Sequence, residues 1–188
     1  MPGRINNVAP HPTVEDHAVY ALVFCLFRVV LHVLLDFVIK CLYKDYEKLE
    51  SHVYHDYRMY WNSIIHSIVA SFLSVYCMFL TCPGDQTFYN SEECRLVVRN
   101  SHVWLTHFTA SNLVIDTTLI LLFLGLKTTF DKQMIVHHVV AFTNYYIAFW
   151  QQDFVVTIGA AFIFLEISTP FVCARWLLFH HGYKGSFW

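Results

Sequence analysis

Five long apolar runs limit this chain to very few folds. They cover residues 18–42, 61–80, 105–126, 134–150 and 154–178. A helix of about 20 apolar residues crosses the ~30 Å hydrocarbon core of a bilayer. The runs are too long for strands and lack the period-two alternation of a half-buried sheet. The expected fold class is therefore all-α, a polytopic transmembrane helical bundle of about five spans. Composition points the same way, with 56% of the 188 residues hydrophobic and 14% charged. A soluble domain of this size has too little interior to hide that much apolar surface. The net charge of −2 gives no electrostatic basis for binding nucleic acid.

Residues 1–17 form an N-terminal polar segment with three prolines and no apolar stretch, unlike a signal peptide. The first transmembrane helix and its loop take 18–56. Pro170 lies inside the fifth run and should bend or break it around Ser168–Pro170. The polar connections fall at 43–60, 81–104, 127–133 and 151–153. Five spans put Lys40, Lys44, Lys48, Arg58, Lys127, Lys132, Arg175 and Lys184 on one side of the membrane. Arg4, Arg95 and Arg99 fall on the other. The positive-inside rule then sets the C-terminus on the cytosol or matrix side. Cys82 and Cys94 share the 81–104 loop and can pair if it faces an oxidising compartment. The other four cysteines sit in apolar runs as small hydrophobes.

The informative residues are polar ones at bilayer depth, where a charge is expensive unless it faces protein, water or the interface. In the first span Arg28, His32 and Asp36 follow at i, i+4 and i+8, a stripe drifting by about 80°. Opposite charges at its ends can share the central imidazole, as a packing ion network or as a path for protons. The second span carries Asn62 and His66 on one face. It also has a small-xxx-small series at Ser63, Ser67 and Ser71 that lets helices approach closely. The third puts Thr109, Asn112 and Asp116 on one face, and a mid-span carboxylate needs a donor from a facing helix. The fourth has His137 and His138, then Asn144 and Tyr145. Adjacent side chains point about 100° apart, a poor geometry for a metal, which prefers histidines at i, i+4. No metal is expected. Imidazoles on adjoining walls of a cavity suit proton transfer or acyl handling better. The fifth span has Glu166 and, two and a half turns on, Arg175, whose partners should lie on other helices.

Taken together, these segments resemble the TLC domain family of multi-pass proteins, which includes the translocon-associated TRAM proteins and the ceramide synthases. Tyr57-Arg58-Met59-Tyr60-Trp61-Asn62-Ser63 through His66-Ser67 is similar to the family's tryptophan-asparagine opening. Ser111 to Asp116 resembles its segment ending in aspartate, and His137-His138 its double histidine. Leu165 to Phe171, with Arg175-Trp176, resembles the glutamate-serine-proline stretch of the non-synthase branch. The resemblance covers 57–180 as a TLC-like transmembrane domain and leaves 181–188 as a tail.

Three departures shape what the resemblance implies. Ser111 and Asn112 stand where the family usually has glycine and an aromatic. The acidic cluster that follows the double histidine in the synthases has no counterpart, since only Asp153 is acidic between 139 and 165. The family usually continues with another helix after Arg-Trp, so the expected bundle is C-terminally truncated, one wall short unless a neighbouring subunit closes it. The first expectation is thus a non-catalytic membrane protein that binds lipid through Asn62, His66, Asn112, Asn144, Glu166 and Arg175. It would serve as an accessory subunit of a larger complex, in the mitochondrial inner membrane or the endoplasmic reticulum, with no cofactor. The alternative is an acyl-CoA-dependent lipid acyltransferase. There His137 or His138 acts as base or acyl carrier, and Asp116 orients the imidazole. A lipid sensor or transporter is the third reading.

Overall fold

The computed structural model describes residues 13–82, 84–87, 89–92, 94, 99–126, 129–151 and 163–181. They are helical, with no strand among them. The long helices are α1 (Val14–Leu42), α2 (Ser51–Phe79), α3 (Asn100–Leu119), α4 (Thr129–Gln151) and the shorter α5 (Thr169–His180).

Three stretches are long and apolar enough to cross a membrane: Val14–Leu42, Val53–Phe79 and Asn100–Phe123. They correspond to the first three expected spans. The fourth expected span lies within α4, whose 23 residues are long enough but which is not apolar enough to join those three. Much of the fifth, 152–162, lies outside the described residues. From Phe164 to Ser168 the chain makes a 3-10 turn, and α5 starts at Thr169 with Pro170 in its first turn. Proline is tolerated there because the first backbone N–H groups of a helix have no partner to lose. The twelve residues of α5 rise only about 18 Å, too little to cross a bilayer alone.

Local chemistry sets the other boundaries. α1 begins four residues before the apolar run because Thr13 and Asp16 form a capping box. The Asp16 N–H donates to Thr13 Oγ1 (3.2 Å), and the Thr13 N–H donates to Asp16 Oδ2 (2.8 Å). α3 runs on into a π turn over Ile120–Leu124, which Gly125 ends at φ 67°. A side chain at that φ would be strained. The Gly125 N–H closes the turn on the Ile120 carbonyl at 2.7 Å.

α2 and α3 form the centre. α1 packs against both, α4 packs on α3, and α5 with its preceding turn packs on α2. α1 and α2 are antiparallel, joined by a short turn. Ala70, Cys77, Leu105, Phe108 and Ile163 make one apolar core cluster. Ile39, Tyr46, Tyr57 and Leu177 make another at the end where α1 and α5 finish and α2 starts. Past the opposite end of α2, Cys82 and Cys94 are joined by a disulfide, with Cα atoms 5.8 Å apart.

Candidate functional site

The polar residues of the first three helices meet in a layered seam between α1, α2 and α3. Moving one turn along α1 from Arg28 to His32 corresponds to moving one turn back along α2 from His66 to Asn62. α3 supplies Phe108, Asn112 and Asp116 at the same helical spacing. The i, i+4 rhythm on three helices is therefore what stacks the layers.

Arg28 is fully buried. Its Nη2 bonds His66 Nδ1 and also donates to the Phe108 carbonyl at 3.3 Å. The guanidinium carbon lies 4.1 Å from the centre of the Phe108 ring, a cation–π contact. Arginine only donates, so His66 Nδ1 must accept, and the neutral imidazole carries its proton on Nε2. In the next layer Asn62 Nδ2 donates to Asn112 Oδ1 (2.9 Å) and reaches Asp116 Oδ1 (3.5 Å). Asn112 Nδ2 donates to Asp116 Oδ2 at 2.9 Å. His32 Nε2 stands 3.7 Å from Asp116 Oδ1. The carboxylate thus has two amide donors and a facing imidazole, the partners that a buried charge requires.

The seam continues toward α4. Thr117 Oγ1 and His138 Nδ1 are 3.0 Å apart. Asp116 lies within electrostatic reach of both Arg28 and His138, and Glu166 within reach of His138 and Tyr145. Glu166 is half-buried and accepts from Thr169 Oγ1 at 2.7 Å.

Other expected site residues lie elsewhere. His137 is exposed while His138 is buried, with ring centres 5.8 Å apart, so the pair does not line one space. The 100° step between neighbours on a helix is the cause. Asn144 is exposed, and Arg175 is exposed with its guanidinium 5.2 Å from the Phe179 ring, so neither faces the seam. Arg28, His32 and Asp36 do not share charge along their own stripe. The drift of that stripe hands Arg28 to His66, His32 to Asp116, and Asp36 to Lys40 (3.0 Å), Tyr54 and Tyr46 (3.4 Å). Among the described residues, no group of three or more His, Cys, Asp or Glu is placed to hold a metal.

Sequence reasoning missed three features. Thr117, the partner of His138, follows Asp116 directly but gave no periodic signal. His17 Nδ1 and His107 Nε2 meet at 3.0 Å near the start of α1, although they are 90 positions apart. Tyr46 stacks on Tyr54 with ring centres 4.5 Å apart in the α1–α2 turn. Burial first, then the neighbouring Tyr54 and Asp36, keeps the Tyr46 phenol protonated well above its ordinary range, so it remains a donor. A density of tyrosines between 43 and 60 was the available clue. Comparison with family models, curated proteins and solved structures finds no match to this chain.

Proposed function

We propose that this chain is a non-catalytic, lipid-associated multi-pass membrane protein of TLC type that supports a larger membrane complex. Its place would be the mitochondrial inner membrane or the endoplasmic reticulum. One observation carries the reading: each charged group of the seam is held by residues of neighbouring helices, although Arg28 Nε and Nη1 and both His32 ring nitrogens have no hydrogen-bond partner among the described residues. Asp116 is held by Asn62, Asn112 and His32, and Arg28 by His66 and Phe108. Groups tied into helix packing in this way serve docking better than turnover. Isolation in mild detergent tests the reading, with co-purifying membrane subunits expected. A stable monomer without companions would count against it.

The distribution of charge supports an orientation. Lys40, Lys44, Lys48, Arg58, Lys132 and Arg175 belong to the end of the bundle where α1 and α5 finish. The disulfide belongs to the other end. An oxidising compartment on the disulfide side and a C-terminus on the cytosol or matrix side satisfy both the redox and the positive-inside rules.

The acyltransferase reading has one observation in its favour: Asp116 and Glu166 both act electrostatically on the buried His138. In that mechanism His138 removes the proton from an amine or hydroxyl as it attacks the thioester of acyl-CoA, the C–S bond breaks as the CoA thiolate leaves and takes that proton back from the imidazolium, and Asp116 steadies the imidazolium in between. His138→Ala should then abolish product formation in membranes while folding persists. Equal lipid products from wild type and variant would end that reading.

A further inference from the structure

We infer that the seam holds a one-sided proton-binding site, in which His32 relays protons through bound water between the Asp36 end and Asp116. This adds a proton-handling role to a seam that otherwise docks helices. Its basis is a set of buried polar atoms that no described residue satisfies. They are Nε and Nη1 of Arg28, both ring nitrogens of His32, Asn62 Oδ1 and Thr109 Oγ1. None of these four residues is more than 5% exposed.

The chemistry of these atoms selects the ligand. The Arg28 nitrogens only donate, and Asn62 Oδ1 only accepts. An anion would suit the first and be repelled by Asp116, and a cation would suit the second and be repelled by Arg28. A small neutral molecule that both donates and accepts suits both, and water does so with two to four polar partners. His32 Nε2 stands 3.7 Å from Asp116 Oδ1, beyond a direct hydrogen bond. A water at ~2.8 Å from each of these atoms fits beside the pair.

The same geometry makes His32 a carrier. His66 is tied through Nδ1 to Arg28, and His138 Nδ1 lies 3.0 Å from Thr117 Oγ1. Neither nitrogen of His32 is tied to a described residue, so its ring can accept a proton on Nδ1 and release another from Nε2. The Nε2 proton passes to the water, and a water proton passes to Asp116 Oδ1. Imidazolium and carboxylate become imidazole and carboxylic acid, with net charge unchanged, and the reverse steps return the proton. Arg28 of α1 and His66 of α2 flank the relay on one side, and Asp36 lies one turn, ~6 Å, further along α1 on the other. Asp116 is also within electrostatic reach of His138 on α4 and Cys173 on α5. Half-buried Asp36 bonds Lys40, Tyr46 and Tyr54, with Arg58 and His55 within electrostatic reach. Lys40 is exposed, so this end meets solvent. The other end is closed by apolar packing. Phe24 meets Phe108 edge-on with ring centres 6.1 Å apart, and Phe108 joins Ala70, Leu105 and Ile163 in the core.

The test uses the full chain, with histidine and asparagine labelled with heavy nitrogen, in phosphatidylcholine bilayers, read by magic-angle-spinning NMR. His32 should exchange between its Nδ1–H and Nε2–H forms, while His66 holds the Nε2–H form alone. Ring protons of His32 should exchange with water at least tenfold faster than those of His66. His32→Leu should slow water exchange of the Asn62 side-chain amide at least fivefold, and His32→Gln, which keeps a donor and an acceptor, should restore it. The comparison of His32 with His66 needs no variant, so it decides the matter if His32→Leu does not fold. A His32 ring that exchanges no faster than His66, or that keeps a single tautomer, overturns the proposal. So does an Asn62 amide unchanged by His32→Leu in a folded protein. Vesicles holding a pH gradient report on the closed end. The gradient should decay no faster than in protein-free vesicles, and faster decay overturns the one-sided site.

Discussion

α1 and α3 are both long and apolar enough to cross a bilayer, yet α3 buries 56% of its most apolar stretch inside the bundle and α1 only 17%. α3 is surrounded by α1, α2 and α4. α1 lies at the rim with Arg28, His32 and Ile39 as its buried residues, while Leu22, Leu26, Val30, Val33 and Phe37 are exposed. In water that face would drive aggregation. In lipid it costs nothing to expose, and nothing is gained by covering it. A rim helix is therefore held by its few polar contacts, and a central helix by packing on all sides.

The sharpest way to break this contrast is Asp116→Leu, which strips acceptors from Asn62 and Asn112 and leaves Arg28 without its nearby counter-charge. We expect a loss of about 4 kcal/mol, the scale for removing one partner of a buried charge pair. Denaturant titration in detergent micelles measures it, and a loss under about 1 kcal/mol would contradict the seam. Arg28→Leu should cost about 3 kcal/mol. Its hydrogen-exchange signature should be faster exchange in α1 than in α3, and equal acceleration in both would erase the distinction between rim and centre. Thr117→Val removes a single hydrogen bond to His138 and should cost about 1 kcal/mol in the same titration. Leu34→Ala, on the outer face of α1, should shift stability by less than about 0.5 kcal/mol. A larger effect would mean that this face contacts protein.

The helical class and the seam were readable because both rest on period. Apolar runs of span length announce helices, and polar residues repeating at i, i+4 on three of them share a core. Asn62, His66, Asn112 and Asp116 were legible for that reason. The partner of Arg28 was not, because the choice between His66 and Asp36 depends on how a stripe drifts relative to a neighbouring helix. Asn144 is on α4 but exposed, since polarity alone does not say which way a residue turns. The extent of α5 was half legible. Pro170 marked the break, while no periodic signal carries the choice of α2 as the helix that α5 packs against.

The turn between α1 and α2 bears on how the chain enters a bilayer. Fully buried Tyr46 and its neighbour Tyr54 both donate to Asp36, closing the two helices into a hairpin over a few residues. Entering alone, α1 would carry Arg28 into hydrocarbon unaccompanied, at roughly 2.5–3.5 kcal/mol for a charge near mid-depth. Entering as a hairpin, Arg28 arrives with His66 already alongside. The cheaper route for biogenesis is co-insertion of the pair, with the tyrosine clasp setting the register before the third helix emerges.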